Sequence, residues 1–380
     1  MARFIIIYEQ LDNTVEVNLA GLKEFFNIGD VSTRYLLSKD VKELDLNWCD
    51  ACYAIRPSSV YTLNIARVIK ASGRLFISLF DDDLLNISKS SSLYWRVKYM
   101  KSCMMSSDAI LTGNPQLIES YKQIAPKIKF ILSQTFVLES DIQPIREVGD
   151  VIKISYVASR DHTELFETYI RPIIDDVLAL SPKIELHLMG VDPDLSHIRS
   201  CNQIISHPVR SYEAYKFFMR SNHFDIGLAP LNDDDFSNKK YFRKYIDYAE
   251  FGVLGLYSNC LPYTLVVKDG YNGILVDNDV KEWKKALIYA VDNISSMKGI
   301  VRNSQNHLRS DFSLNNVRNQ FWSELDPVIS KKRHKCEVSY HISFYEKFVY
   351  SNRVRYNRLA SHIRGDGFIK TAKLLLKRLS

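Results

Sequence analysis

No run of apolar residues in this sequence approaches the ~20 that a helix needs to span a bilayer, which excludes a helical integral membrane protein. The opening Met1-Ala2-Arg3-Phe4-Ile5-Ile6-Ile7-Tyr8-Glu9-Gln10 turns acidic too early for a secretory signal, so a cytoplasmic location is expected, with the inner membrane face as an alternative. Six cysteines in 380 residues are too few for a disulfide framework. Cys49 and Cys52 stand at C-x-x-C spacing, but no second pair and no neighbouring histidine completes a zinc site, so both are expected to be reduced and structural. The G-x-G-x-x-G that marks dinucleotide-binding turns is absent. So are short-period repeats and low-complexity tracts.

What remains describes a globular chain long enough for two ordinary domains, 46% hydrophobic and 25% charged. The net charge of +6 is unevenly placed: Lys331 to Ser380 holds thirteen Lys and Arg against three acidic residues, about +10, leaving the rest near −4.

Apolar runs of strand length alternate with helical periodicity along the chain. Strands are expected at Arg3 to Tyr8, Asp50 to Ile55, Arg74 to Phe80, Ala109 to Thr112 and Lys129 to Leu132, with helices at Val15 to Phe26, Val60 to Ser72 and Leu93 to Ser106. That order argues for a parallel α/β sheet. Residues 138 to 150 lose periodicity and read as a linker, so the chain divides into 1–140, 151–330 and a basic segment, 331–380. The second part starts again with a strand, Val151 to Val157, a long helix, Thr163 to Leu180, and a strand, Ile184 to Met189.

The most informative stretch is Phe224 to Asn278. A strand, Phe224 to Leu231, leads through the polar loop Asn232 to Asn238 into a helix expected at about Lys239 to Phe251. Phe242, Tyr245, Ile246 and Ala249 form its core stripe, with Lys240, Lys244, Asp247 and Phe251 opposite. Lys240, Arg243 and Lys244 crowd positive charge within about one turn, which an anion would relieve. Ser237 and Asn238 are good N-cap residues, and the free N–H groups they precede would face the same anion. The plainer alternative is a solvated basic face that touches nothing. After Gly252 come a strand at Val253 to Ser258, a turn at Pro262-Tyr263, and the glycine-punctuated Asp269-Gly270-Tyr271-Asn272-Gly273 leading into a third strand. This is half of a doubly wound sheet.

The segment DIGLAPL…DDDFSNKKYFRKYIDYAEFGVLGLYSNCLPYTLVVKDGYNGILVDN resembles the donor-binding half of GT-B glycosyltransferases of the group 1 (GT4-like) kind. Their pattern reads D-I-x-L-A-P-L, F-N-x-x-K, K-x-x-E-Y, a helix-ending glycine, S, P-Y and D-G-x-N-G. The resemblance runs over roughly 151–330; the N-terminal half matches in outline. It implies an α/β fold of two Rossmann-like domains (GT-B) facing each other across a cleft. It also implies transfer of a sugar, hexosyltransferase-type, from a nucleotide-sugar donor to an acceptor hydroxyl with retention of configuration, in polysaccharide or lipid-linked glycan assembly. No cofactor or metal is expected, because such enzymes are similar in being metal-independent.

Carried onto this sequence, the resemblance makes Lys240, Lys244 and Arg160 ligands of the donor diphosphate, and Asn238 and Tyr263 further donor-side residues. Asp247 stands where the family has a ribose-binding Glu, one methylene longer, and the family's first Glu is replaced by Lys239. The alternative for Asp247 is an i,i+3 partner of Lys244. His162, in the loop after the first strand of the second domain, could bond a phosphate or sugar oxygen; it is also an ordinary loop residue. Lys244, His162 and Asp82 are the catalytic candidates. Asp81, Asp82 and Asp83 end a strand of the first domain, where one could bind or deprotonate an acceptor hydroxyl, with Arg56 as a companion. Capping of a following helix is the alternative. The basic end places Phe368, Ala372, Leu375, Leu376 and Leu379 on one helical side, a pattern for an anionic membrane surface, while 340–363 is expected to dock on the first domain. Nucleic acid is not an expected partner. A catalytically silent glycan-binding or scaffold protein of the same shape is the alternative function; an epimerase or phosphorylase is a third.

Overall fold

A computed structural model describes residues 2–11, 13–27, 29, 31–158, 163–191, 193, 198–208, 211–330 and 335–366. The chain forms two compact units, each built on one six-stranded parallel sheet. In the first, β1 (Ala2–Tyr8), β2 (Val31–Leu37), β3 (Ala51–Ile55), β4 (Leu75–Leu79), β5 (Ala109–Thr112) and β6 (Lys129–Leu132) lie in the order β2-β1-β3-β4-β5-β6. Every residue of β3 and β4 is buried, because helices cover both faces of a parallel sheet. Ser59 starts the helix Val60–Ala71 by accepting from the Thr62 amide, in a reciprocal capping box. Cys49 and Cys52 are free thiols inside this core.

In the second unit, β7 (Ile152–Val157), β8 (Ile184–Met189), β9 (Ile204–His207), β10 (Ile226–Ala229), β11 (Leu254–Ser258) and β12 (Ile274–Val276) run in the order β12-β11-β10-β7-β8-β9. Strand order therefore reverses between β7 and β10, the neighbours at the centre of the sheet. In doubly wound folds ligands bind at the carboxyl ends of the two strands flanking that reversal. One face of this sheet packs under Phe166, Ile174, Val177 and Trp283; the other packs under Phe242, Tyr245, Ile246 and Ala249. Those four are 0–2% exposed, so the stripe expected from periodicity is the core contact. Gly252, at φ +72, ends their helix in the left-handed region that a side chain resists.

The units divide differently from the expected boundaries. The second comprises 113–116 and 133–322, and the first includes 323–380. The chain enters the second unit before the expected linker, because Val137 is buried and its amide donates to the Phe312 carbonyl. From Lys335 the chain runs extended over the first unit: Arg74 Nη1 donates to the Cys336 carbonyl (2.6 Å), and the Val338 amide donates to Asn47 Oδ1 (3.1 Å). A helix, Phe344–Asp366, follows. Within this unit Tyr350 packs against Tyr61 of the Val60–Ala71 helix; the Phe368 to Leu379 pattern lies outside the described residues. Among the described residues, no helix is long and apolar enough to cross a membrane.

Candidate functional site

The helix that carries the basic cluster starts later than its periodicity implies. Asp234 caps a four-residue helix, Asp235–Asn238, by accepting from the Ser237 amide at 2.7 Å. The chain then turns through Lys239 to Phe242 and re-enters a helix, Arg243–Glu250. Ser237 and Asn238 are therefore inside the short helix and do not cap the long one, a correction to the sequence reading. The Asn238 side chain donates to Asp233 Oδ1 (2.9 Å), while its own Oδ1 is buried without a partner.

Lys244, in the first turn of the Arg243–Glu250 helix, lies inside rather than on a wet face. Its ammonium is 5.2 Å from the ring centroid of Tyr156, which β7 supplies at the strand-order reversal. The Nζ atom is buried with no hydrogen-bond partner. Burial, followed by the nearby charge of Lys240, lowers its pKa from 10.5 to about 7, with Asp247 pulling the other way. A cation facing an aromatic ring gains about 0.5–2 kcal/mol, less than the several kcal/mol that removing an ammonium from water costs. The geometry is that of half an ion pair.

Lys240 sits in the turn before that helix, its ammonium 5.1 Å from the centroid of the Phe236 ring. Two residues outside the motif fix this turn. Asn114 Nδ2 donates to the carbonyls of Asn238 (2.9 Å) and Lys240 (2.7 Å). Tyr241 donates to Gln134 Oε1 and accepts from the Thr135 amide, both at 3.0 Å, and its ring lies where a Cβ on Gly113 would come within 2.6 Å. Neither contact was readable from sequence, since Asn114 and Tyr241 are far apart in the chain. Arg243 was readable at i,i+4 spacing: its Nε donates to Asp247 Oδ1 at 2.8 Å. Tyr215 donates to the other oxygen of Asp247 at 3.3 Å.

Asp247 is thus 6% exposed, with both oxygens engaged inside the lobe, and its ion-pair partner is Arg243 rather than Lys244, the partner in the alternative reading. Arg243 also donates to the Tyr212 hydroxyl. Beside this pair, Glu250 and Asp141 share Lys216 at 3.0 Å each. Lys239, where the resemblance places a Glu, pairs with Asp235 at 2.7 Å. Tyr263 is 5% exposed and packs on Tyr257, ring centroids 5.0 Å apart. The D-G-x-N-G loop is a built turn: Asn272 accepts from the Lys268 amide (2.7 Å) and donates to the Tyr245 hydroxyl (3.0 Å). Arg160 and His162 lie outside the described residues.

In the first unit, Arg56 and the aspartates form one cluster at the carboxyl ends of β3 and β4. Arg56, at φ +47, donates through Nε to Asp81 and through Nη2 to Asp82 Oδ2 (2.5 Å). A non-glycine residue in that backbone region is strained, and the two carboxylates hold it there. Asp83 does not cap a helix. It is buried, and Asn86 Nδ2 donates to both its oxygens at 3.0 Å across a turn. Its carboxylate is turned into the fold, whereas those of Asp81 and Asp82 keep side-chain exposures of 23% and 35%.

A separate crevice of about 280 Å³ lies at the opposite end of the second sheet, lined by Lys153, His223, Asp225, Gly252 and Lys298 among others. It is at the amino ends of β7 and β10, the wrong edge for ligands of such sheets. Among the described residues, no group of three or more His, Cys, Asp or Glu side chains could hold a metal ion.

Comparison with solved structures places the chain in the GT-B fold. The Anabaena protein Alr3699/HepE, solved with UDP, superimposes with a TM-score of 0.59 at 13% identity over 86% of this chain and 100% of its own. Sucrose-phosphate synthase from Thermosynechococcus elongatus gives 0.63 at 10% identity over 87% and 100%. A Listeria monocytogenes protein provisionally described as a UDP-N-acetylglucosamine 2-epimerase gives 0.57 at 10% identity over 89% and 99%. No family model and no curated protein sequence matches the chain.

Proposed function

We propose that this chain is a nucleotide-sugar-dependent glycosyltransferase whose second lobe grips the donor diphosphate at the reversal between β7 and β10. The observation that carries the reading is the buried, unpartnered ammonium of Lys244 over Tyr156 at that reversal. A diphosphate oxygen would complete the ion pair, and Lys240 would add charge from the neighbouring turn. Arg160 and His162, which follow β7 in sequence, are the remaining donor-side groups in this proposal. HepE, which shares the fold, was solved with UDP and with UDP-glucose, which supports a nucleotide-sugar donor here.

Negative charge builds on the departing diphosphate as the glycosidic bond breaks, so Lys244 is assigned to stabilising the transition state more than the bound donor. Asp247 supports the site from within through Arg243; a ribose contact would require that pair to open. On the first unit, Asp82 and Asp81, oriented by Arg56, are proposed to meet the acceptor hydroxyl. Transfer of a hexosyl group with retention, to a polysaccharide or lipid-linked acceptor and without a metal, completes the proposal. A donor panel assayed for transfer or slow hydrolysis tests it. Lys244→Ala is expected to lower kcat by more than it raises the donor Kd, and an unchanged kcat would remove the assigned role.

Two observations favour a second reading, in which the protein binds glycans or scaffolds an assembly without transfer. Asp247 is closed into an internal pair, and Lys239 replaces an acid. Failure to bind any nucleoside diphosphate would select that reading.

A further inference from the structure

The crevice of about 280 Å³ at the amino ends of β7 and β10 is walled on one side by residues 142–151, a segment without regular structure that crosses this edge of the second sheet. One end of the segment is pinned: the Gln143 amide donates to the Glu250 carbonyl, and Gln305 Nε2 donates to the Gln143 carbonyl, both at 2.7 Å. At the other end the chain enters β7, where the Ile152 amide donates to the Lys183 carbonyl at 2.8 Å. Between these anchors, the amides of Ile145, Arg146, Glu147, Val148 and Gly149 donate to no other group among the described residues. The floor is apolar, with Phe224, Phe251, Ile294 and Val301 only 4–8% exposed.

The rim carries a surplus of positive charge: the cations Arg146, Lys153 and Lys298 stand against the carboxylates Glu147 and Asp225. Lys298 is paired with Glu147, and Asp225 accepts from the Lys153 amide at 2.8 Å. The Lys153 ammonium meets only the Asn222 carbonyl, at 3.3 Å. Arg146 is exposed and forms no ion pair among the described residues. His223, which closes the Tyr212–Asn222 helix at φ +52, registers this surplus: partial burial, then Arg146 and Lys153, push its imidazole below the ordinary pKa. Ligand sites combine an apolar lining with a few polar groups that fix orientation. Here those groups are cations and N–H donors, so an inorganic ion would leave the floor unused and a neutral molecule would leave Arg146 and the amides unanswered. The carboxyl-edge rule concerns ligands held by the turns that follow strands; this cavity is made instead by a segment laid across the other edge.

We propose that this crevice is a ligand site separate from the donor site, taking a small organic anion: a phosphate or carboxylate on a compact apolar body. The body rests on Phe224, Phe251 and Val301, the anionic group faces Arg146 and Lys153, and the unpaired amides of the 142–151 segment supply further donors. Occupation therefore orders that segment. The inference does not depend on the chemistry of the donor site.

The test is titration of the full chain with phenyl phosphate, benzoate, inorganic phosphate and phenol, followed by the His223 ring resonances in proton–carbon NMR and by amide hydrogen exchange. His223→Asn, which suits the left-handed backbone, identifies the resonances. Phenyl phosphate or benzoate is expected to bind about tenfold or more tighter than phenol and inorganic phosphate, and the preference between the two separates phosphate from carboxylate recognition. An anion beside Arg146 favours the charged imidazole, so the His223 pKa should rise, and exchange should slow across 143–151. Arg146→Glu, an exposed change whose fold circular dichroism checks, should weaken binding about tenfold or more, whereas Lys244→Met should leave it as in wild type. No saturable binding of either organic anion, equal affinity for phenol, or wild-type binding by Arg146→Glu would overturn the proposal. So would binding lost in Lys244→Met, which would put the anion in the donor site.

Discussion

Replacing Lys244 by Met separates stability from ligand binding, because the ammonium acts with opposite sign on each. In the empty site its pKa is lowered from 10.5 to about 7, by burial first and Lys240 second. A shift of about three and a half units at 1.36 kcal/mol each sets a ceiling of about 5 kcal/mol by which the charged form destabilises the fold. Local relaxation and water entry reduce that cost, and Met keeps an unbranched apolar side chain in place of the ammonium beside Tyr156, so a stabilisation of about 2 kcal/mol at about pH 6 is expected for the variant. Below the folded pKa, lysine is charged in both the folded and unfolded chains and the whole penalty is present. As pH climbs from about 7 toward 10.5, the folded protein has shed the proton and the penalty fades. The advantage of Met should therefore be largest at about pH 6 and mostly gone by about pH 10. Urea denaturation of the ligand-free proteins at several pH values measures it. A Met variant less stable than wild type by the same amount at every pH would show that the ammonium was already satisfied, and would refute the reasoning.

Three further outcomes follow from contacts around the same site. Asp247→Asn leaves the half-buried Arg243 without its nearest carboxylate and should cost about 1–3 kcal/mol in urea denaturation, whereas a solvated i,i+4 pair would cost under about 1 kcal/mol. Asn114→Ala removes both bonds to the turn that carries Lys240, which should lower stability by about 1–3 kcal/mol and weaken nucleoside diphosphate binding; unchanged affinity would show that the turn holds without it. Gly227→Ala puts a methyl 2.6 Å from the Tyr248 ring, where that hydroxyl donates to the Leu228 carbonyl at 2.8 Å, and should destabilise by about 1–3 kcal/mol; a neutral melt would mean that the ring can move.

The sheets were largely legible in the sequence because buried parallel strands are continuous apolar runs. Ala109–Thr112 and Lys129–Leu132 are strands at the expected bounds. The missed strands are β2 and β9, whose residues are half-buried or exposed and whose side chains mix Ser, Thr, Arg and His with apolar groups. Each pairs with a single neighbour at a sheet edge, where burial imposes no continuous run. Around the site, periodicity found the buried stripe of the Arg243–Glu250 helix but misplaced its start. Ser237 and Asn238 are as good caps in principle as Asp234, and what selects Asp234 is its bond to the Ser237 amide. The same periodicity put Lys244 opposite the core stripe and left its surroundings open. That face is covered by Tyr156, about ninety residues earlier, a contact created by the order of strands rather than by local pattern. Arg56 and the aspartates were each visible, but their union needs β3 beside β4.

In the proposed function, the buried Lys244 ammonium waits for a phosphate oxygen. Calorimetric titration with a panel of nucleoside diphosphates at about pH 8, in buffers of differing ionisation enthalpy, counts the protons taken up on binding. With an empty-site pKa near 7, the account predicts uptake approaching one proton per bound diphosphate in the wild type, and little uptake with much weaker binding in Lys244→Met. Tight binding without proton uptake, equal in the two proteins, would contradict it.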